Sequence, residues 1–307
     1  MADGELIFIP DFPIFFTLWI IIEVVYVPET RQFKPHQFAL ILGASSGFGG
    51  GIAVELARRG MNIAGVHFDR AGTIPKVKEI ISRVQGHGVR ALFFNINAAD
   101  AAKREETLDA LKEEFGTIPG STIRILVHSL AFGTLKPYIG ESVSASLTQA
   151  QIEMTLDVMA NSLVYWTQGV FFRGMMTRGA SIYAMTSSGG HSVLPNYGAV
   201  SAAKAALESH IRQLALEMGS FGIRANSLMA GVTDTPALRK IPGAASMIDI
   251  ATRKNPQSRL TTPADVARAI ALLSQDDAGF ISGNVIGVDA GEDIVSYIGQ
   301  KNPGELG

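Results

Sequence analysis

The sequence predicts an α/β domain whose core is a parallel, doubly wound sheet of seven strands. Two observations carry that prediction. From residue 38 onward, seven short apolar or β-branched runs at 38–42, 62–67, 91–95, 123–128, 180–186, 224–228 and 285–288 alternate with amphipathic stretches of helix length, the signature of parallel strands joined by crossover helices. The first run also ends in a glycine-rich turn that opens directly into a helix-length stretch. In this architecture ligands sit beyond the carboxyl ends of the strands, so the segments after Leu42, His67, His128, Thr186 and Leu228 are expected to line one crevice.

Bulk composition narrows the classes. A chain of 307 residues with 47% hydrophobic and 18% charged content can bury a large core, and a Rossmann-type sheet of this size commonly forms one domain. Twenty-six basic residues against 28 acidic ones leave a net charge of −2, which offers no footprint for a phosphate backbone, so no nucleic-acid partner is expected. The absence of cysteine removes disulfides, thiolate catalysis and cysteine-bound zinc, and no metal site is expected. It fits a reducing compartment, and a cytoplasmic setting is expected.

Residues 1–35 differ from the rest and form an apolar arm, leaving 36–307 as the Rossmann-type domain. The uncharged run 12–22 is bracketed by Asp11 and Glu23 and flanked by Pro10, Pro13 and Pro28. It is shorter than the roughly 20 residues that a membrane-spanning helix needs. No basic residue precedes it and no small-residue cleavage site comes after it, so it does not read as a secretory signal. Packing on its own domain or a neighbouring subunit is the plainer expectation. Contact with a membrane surface through Phe15, Phe16 and Trp19 is the alternative.

The chemistry begins in the turn Gly43-Ala44-Ser45-Ser46-Gly47-Phe48-Gly49. Glycines there allow a sharp turn and close backbone approach to a pyrophosphate, which free N–H groups and the helix dipole attract. Gly43, Ser45, Ser46, Gly47, Phe48 and Gly49 are the expected contacts.

The spacing G-x3-G-x-G resembles the short-chain dehydrogenase/reductase family, and the likeness runs from about residue 38 to 294. That resemblance assigns Asn95 and Ile96, after the third strand, to the adenine. After the fourth strand, His128-Ser129-Leu130-Ala131 is similar to the form found in enoyl-acyl-carrier-protein reductases, so Ser129, Leu130 and Ala131 are expected beside the cofactor. Ordinary members carry Tyr-x3-Lys, but four residues before Lys204 stands Val200, which has no proton to give. Seven before it stands Tyr197, and Tyr-x6-Lys resembles the divergent enoyl reductases. Seven residues are close to two helical turns, so on one helix the two side chains share a face.

Ser187, 17 residues before Lys204, holds the place of the ordinary family's catalytic serine, with a plain turn residue as the alternative. Retaining it resembles the NADPH-preferring type III enoyl reductases. The run Gly231-Val232-Thr233-Asp234-Thr235 matches the segment where the family places nicotinamide-facing groups and the start of a substrate lid, which brings in Gly231, Thr233 and Thr235. A helix-capping role for Thr235 is the alternative. Two departures stand out. Leu42 replaces the usual threonine before the glycine turn, and Met159 stands where ordinary members have a proton-relay asparagine. Asn161 compensates only if the helix shifts register.

The resemblance therefore implies a nicotinamide-dependent reduction of an enoyl thioester, carried on acyl carrier protein or coenzyme A. Reducing that double bond leaves negative charge on the thioester oxygen. A tyrosine hydroxyl, neutral at neutral pH, and a nearby ammonium suit an incipient enolate. Tyr197, Lys204 and Ser187 are the expected catalytic set, with Lys204 also on the nicotinamide ribose. The alternative is a carbonyl reductase acting on a 3-ketoacyl or other ketone. Aligned from the glycine turn, His67 takes the place of the acidic residue that binds ribose hydroxyls in NAD-specific members, and Arg70 can hold a 2′-phosphate. NADPH is therefore the expected cofactor; NADH takes its place if Asp69 rather than His67 faces the ribose. By the same analogy the subunits form a tetramer.

Overall fold

The computed structural model describes residues 31–241 and 243–296. Its seven strands are β1 (Gln37–Leu42), β2 (Asn62–His67), β3 (Ala91–Asn95), β4 (Thr122–His128), β5 (Ser181–Thr186), β6 (Arg224–Ala230) and β7 (Val285–Val288). They form one sheet in the order β3-β2-β1-β4-β5-β6-β7, every pair parallel. The strand order reverses between β1 and β4, which sets the crevice beyond their carboxyl ends.

Helices cover both faces: α1 (Gly47–Arg58), α2 (Ile74–Gln85), α3 (Ala101–Gly116), α4 (Gln149–Leu156), α5 (Ser162–Phe172), α6 (Gly198–Gly219), α7 (Ala244–Lys254) and α8 (Pro263–Leu273). The central strands are buried on both sides, so their sequences read as continuous apolar runs rather than as alternation. One core gathers α3, α5 and α6 against the sheet through Leu108, Leu163, Trp166 and Leu207. The other gathers α1 and α8 through Ile52, Leu56, Val266 and Ile270.

Between α4 and α5 the chain makes a π-helical turn at Asp157–Asn161. Such a turn inserts one residue and rotates the downstream helix about its axis. His128, at the end of β4, donates from Nε2 to Ser162 Oγ at 2.9 Å, and Ser162 Oγ donates to the Val158 carbonyl at 2.8 Å. The strand end is thereby tied to the irregular turn.

Of the arm, residues 1–30 lie outside the described residues. Residues 31–35 lie against the domain: Phe33 is buried in the α1–α8 core, and Gln32 accepts from Arg59 Nη1 at 2.6 Å while donating to the Ala271 carbonyl at 3.2 Å. Among the described residues no helix is long and apolar enough to cross a membrane.

Candidate active site

The glycine turn joins β1 to α1. Gly43 has φ +92, and a Cβ there would stand 2.3 Å from the Ser129 carbonyl oxygen, so only glycine lets the turn after β1 approach the segment after β4. The Ser129 N–H donates to the Leu42 carbonyl, completing that contact without the threonine hydroxyl other members carry. The first turn of α1 contains no acid, and its N-cap Ser46 makes no capping bond with its side chain. N–H groups at this helix start are thus available to a pyrophosphate, and the residues present fit a dinucleotide. Thr235 lies across the crevice: a Cβ on Gly47 would be 3.7 Å from its Cβ and Cγ2.

At the end of β2, His67 is buried and its Nδ1 lies 3.0 Å from Asp69 Oδ2. The Asp69 carboxyl is held below its ordinary range: burial would raise it, but hydrogen bonds from Ser45, Thr73 and His67 outweigh that. Asp69 therefore points back at the glycine turn, while the Arg70 side chain is exposed. Asn95, assigned by resemblance to the adenine, uses its side chain on this turn. Its Oδ1 accepts the Asp69 N–H at 2.9 Å and its Nδ2 donates to the Asp69 carbonyl at 3.0 Å. Ile96 is half-buried beside it, and Leu130 and Ala131 come after Ser129 at the crevice side of β4.

Tyr197 is the N-cap residue of α6 rather than a member of its first turn, and Lys204 sits two turns in. The phenol is half-buried, and burial raises its pKa while the neighbouring Ser187 hydroxyl opposes the rise. That contact falls short of a well-formed hydrogen bond, so Ser187 Oγ remains a buried oxygen without a committed partner. Both side chains converge on Gly189, where a Cβ would lie 2.5 Å from Tyr197 Cε1 and 3.2 Å from Ser187 Oγ. Lys204 is 6% exposed, and its Nζ donates to the Met185 carbonyl at 2.7 Å. Burial lowers its pKa to about 8, with Glu208 pulling the other way.

Thr233 and Thr235 are buried. Thr233 Oγ1 donates to the Gly231 carbonyl at 3.0 Å, and Thr235 Oγ1 accepts the Leu238 N–H at 3.2 Å. The Thr235 side chain thus closes the turn 235–238, with its hydroxyl hydrogen left for a ligand. Met159 is buried and packs where a Cβ on Gly133 would stand 3.1 Å from its Sδ. The π turn inserts one residue, short of the two that separate Met159 from Asn161, and the Asn161 amide oxygen accepts from His210 Nε2 at 3.2 Å.

Three participants escaped the sequence reading. Glu208 Oε1 accepts from Thr186 Oγ1 at 2.6 Å beneath the Ser188–Gly190 turn. Its spacing of four residues from Lys204 was a readable signal. His128 is wholly buried, and burial, with the Lys204 charge second, lowers its pKa to about 3. Glu292 had no local signal, because its partners are remote in sequence.

The profile of a family described as enoyl-(acyl carrier protein) reductase matches residues 43–292. The chain belongs to that family. It is an enoyl-acyl-carrier-protein reductase of the short-chain dehydrogenase/reductase type. Among its curated relatives, an enoyl-[acyl-carrier-protein] reductase [NADH] from Nostoc sp. is 31% identical over 247 residues, covering 80% of this chain and 91% of the relative. A cyclohexanol dehydrogenase from Rhodococcus sp. is 28% identical, covering 82% of this chain and 94% of the relative. Among solved structures, the enoyl-[acyl-carrier-protein] reductase (NADH) of Aquifex aeolicus VF5 superposes with a TM-score of 0.75 at 26% identity, covering 87% of this chain and all of that one.

Proposed function

We propose that this enoyl reductase takes NADH and reduces the double bond of an enoyl thioester, held on acyl carrier protein or coenzyme A, with Tyr197 and Lys204 as its catalytic pair. The dinucleotide, when bound, supplies the hydride. The protein's task is the charge that gathers on the thioester oxygen. Tyr197, kept neutral by burial, donates its hydroxyl to that oxygen, and the Lys204 ammonium stabilises the developing anion from a site with little water to screen it. The observation that carries this reading is the convergence of Tyr197 and Ser187 on Gly189, with Lys204 buried against the end of the same strand, β5.

Support for NADH, against the NADPH expected from His67 and Arg70, comes from Asp69. Its carboxylate, whose pKa the Ser45 hydroxyl of the glycine turn lowers, lies beside the place the adenosine ribose takes in this fold. There it accepts from ribose hydroxyls and repels a 2′-phosphate. The relatives whose names specify NADH lend the same reading weight.

Ketone reduction is the second reading, favoured by the uncommitted Ser187 hydroxyl. Against it, Met159 occupies the place of the amide that ordinary ketoreductases use for proton delivery. Assaying the purified protein with crotonyl-coenzyme A and acetoacetyl-coenzyme A, each with NADH and with NADPH, decides both questions. Turnover of the crotonyl thioester with NADH is expected; turnover of the keto compound alone would reject the enoyl reading, and a preference for NADPH would reject the role given to Asp69. On the same reading the enzyme works as a cytoplasmic homotetramer, which light scattering and cell fractionation check.

A further inference from the structure

The turn after β7 carries a carboxylate that the proposed reaction leaves unused. Glu292 is 7% exposed. Its Oε1 accepts the Val232 N–H at 3.0 Å and its Oε2 accepts from Asn255 Nδ2 at 3.3 Å. A Cβ on Gly231 would stand 2.9 Å from Glu292 Oε2 and 2.6 Å from Thr261 Oγ1, so the carboxylate fills the space beneath the segment after β6. Asp289 commits its two oxygens to the N–H groups of Gly291 and Asp293, which fixes the turn from which Glu292 projects. Asn255, the C-cap of α7, also donates to the Asp289 carbonyl at 2.9 Å. Asp293 lies 3.1 Å from His191 Nε2, in the segment after Ser187. Residues 289–293 therefore touch the segments after β5 and β6 and the end of α7.

We propose that Glu292 is a positioning residue for dinucleotide binding, holding the 231–235 segment, with Thr233 and Thr235, against the glycine turn by accepting the Val232 N–H. This rests on the reading that the dinucleotide lies between that segment and the glycine turn. An ionised acceptor makes the stronger hydrogen bond, and a buried N–H deprived of its acceptor disfavours the backbone conformation that buries it. Burial raises the Glu292 pKa and the Asp289 charge adds to the rise, while the Val232 and Asn255 bonds and the Lys254 charge oppose it. The groups facing it are Asp289 and Asp293 from its own turn, Lys254 and Asn255 from the end of α7, Thr261 beside Gly231, and His191 by way of Asp293. As pH falls, Glu292 takes up a proton before an ordinary glutamate does, and the hold on Val232 weakens.

The test is the affinity of the full-length protein for NADH, measured by calorimetry from about pH 8 down to about pH 5.5, for wild type, Glu292→Ala and Glu292→Gln. Glu292→Ala is expected to weaken NADH binding about tenfold at neutral pH, raising KM for NADH more than it changes kcat. Glu292→Gln has the shape of the protonated acid without its titration. It is expected to bind with an intermediate, pH-independent affinity towards which the wild type falls on acidification. Wild-type affinity in Glu292→Ala would overturn the proposal, as would a Glu292→Gln variant that tracks the wild-type pH slope. If Glu292→Ala does not fold, the slopes of the other two proteins decide. A wild type that binds neither NADH nor NADPH would instead overturn the cofactor reading itself.

Discussion

Lys204 Nζ donates to the Met185 carbonyl across 2.7 Å, from a site where burial has brought its pKa down to about 8 against the upward pull of Glu208. The ammonium is the form that stabilises an anion, so the proposed reaction needs Lys204 protonated. Its rate is expected to be level around neutrality and to fall about tenfold per pH unit above about pH 8. Replacing Glu208 with glutamine removes the upward pull without removing a hydrogen-bond acceptor for Thr186. The alkaline limb of kcat is therefore expected to move to lower pH in Glu208→Gln. A limb that stays in place would show that Glu208 does not act on Lys204.

Deleting one hydroxyl tests the phenol. Tyr197→Phe keeps the ring that packs over Gly189 and loses only the donor, so the fold and the affinity for NADH are expected to persist. The kcat with crotonyl-coenzyme A is expected to fall by roughly 100- to 10,000-fold. Ser187→Ala is expected to lose less than about tenfold with the same substrate, because the serine only touches the tyrosine. Steady-state kinetics beside a binding isotherm separates the two effects. Full activity in Tyr197→Phe would remove the phenol from the mechanism.

The strands were legible because short apolar or β-branched runs alternate with stretches of helix length; 62–67, 91–95 and 285–288 coincide with β2, β3 and β7, although only β2 of these is buried on both faces. The seven-residue step from Tyr197 to Lys204 holds in the fold as a step from the N-cap of α6 into its second turn. What periodicity does not carry is the direction of a polar side chain in an irregular turn. Asp69 and His67 lie two residues apart, and only the folded turn, clamped by Asn95, shows that the Asp69 carboxylate meets His67 Nδ1 at 3.0 Å. The π turn was equally hidden, because one inserted residue leaves the apolar pattern on either side intact. Glu292 meets Val232 from 60 residues away, and no local pattern marks such a pair.

On the proposed reading, cofactor choice turns on the Asp69 carboxylate after β2. Asp69→Asn keeps the main-chain bonds to Asn95 and removes a negative charge that would face a 2′-phosphate, while Arg70 remains to receive one. The ratio of kcat/KM for NADPH to that for NADH is expected to rise by at least about tenfold, since one unit of like-charge repulsion at a few ångströms near a protein surface exceeds about 1.4 kcal/mol. Measuring both constants for both proteins gives the ratio directly. A ratio that does not move would return the ribose-facing role to His67.

His128 makes stability depend on pH. Because Ser162 Oγ donates to the Val158 carbonyl, the His128 nitrogen facing it carries the hydrogen. The other nitrogen, Nδ1, is buried without a partner. Burial first, and then the nearby Lys204 charge, lower the folded-state pKa to about 3, whereas in the unfolded chain a histidine titrates near about 6.5. Between those values the unfolded chain binds a proton that the folded one refuses. Stability from this group is therefore complete above about pH 6.5 and declines as pH falls towards 3. By about pH 4.5 the loss is on the order of 2–3 kcal/mol, enough to lower the melting temperature by several degrees. His128→Gln is expected to melt earlier than wild type at neutral pH, because the ring's packing is lost, but to show a shallower decline on acidification. Parallel declines in the two proteins would mean that the imidazole is not the group refusing the proton.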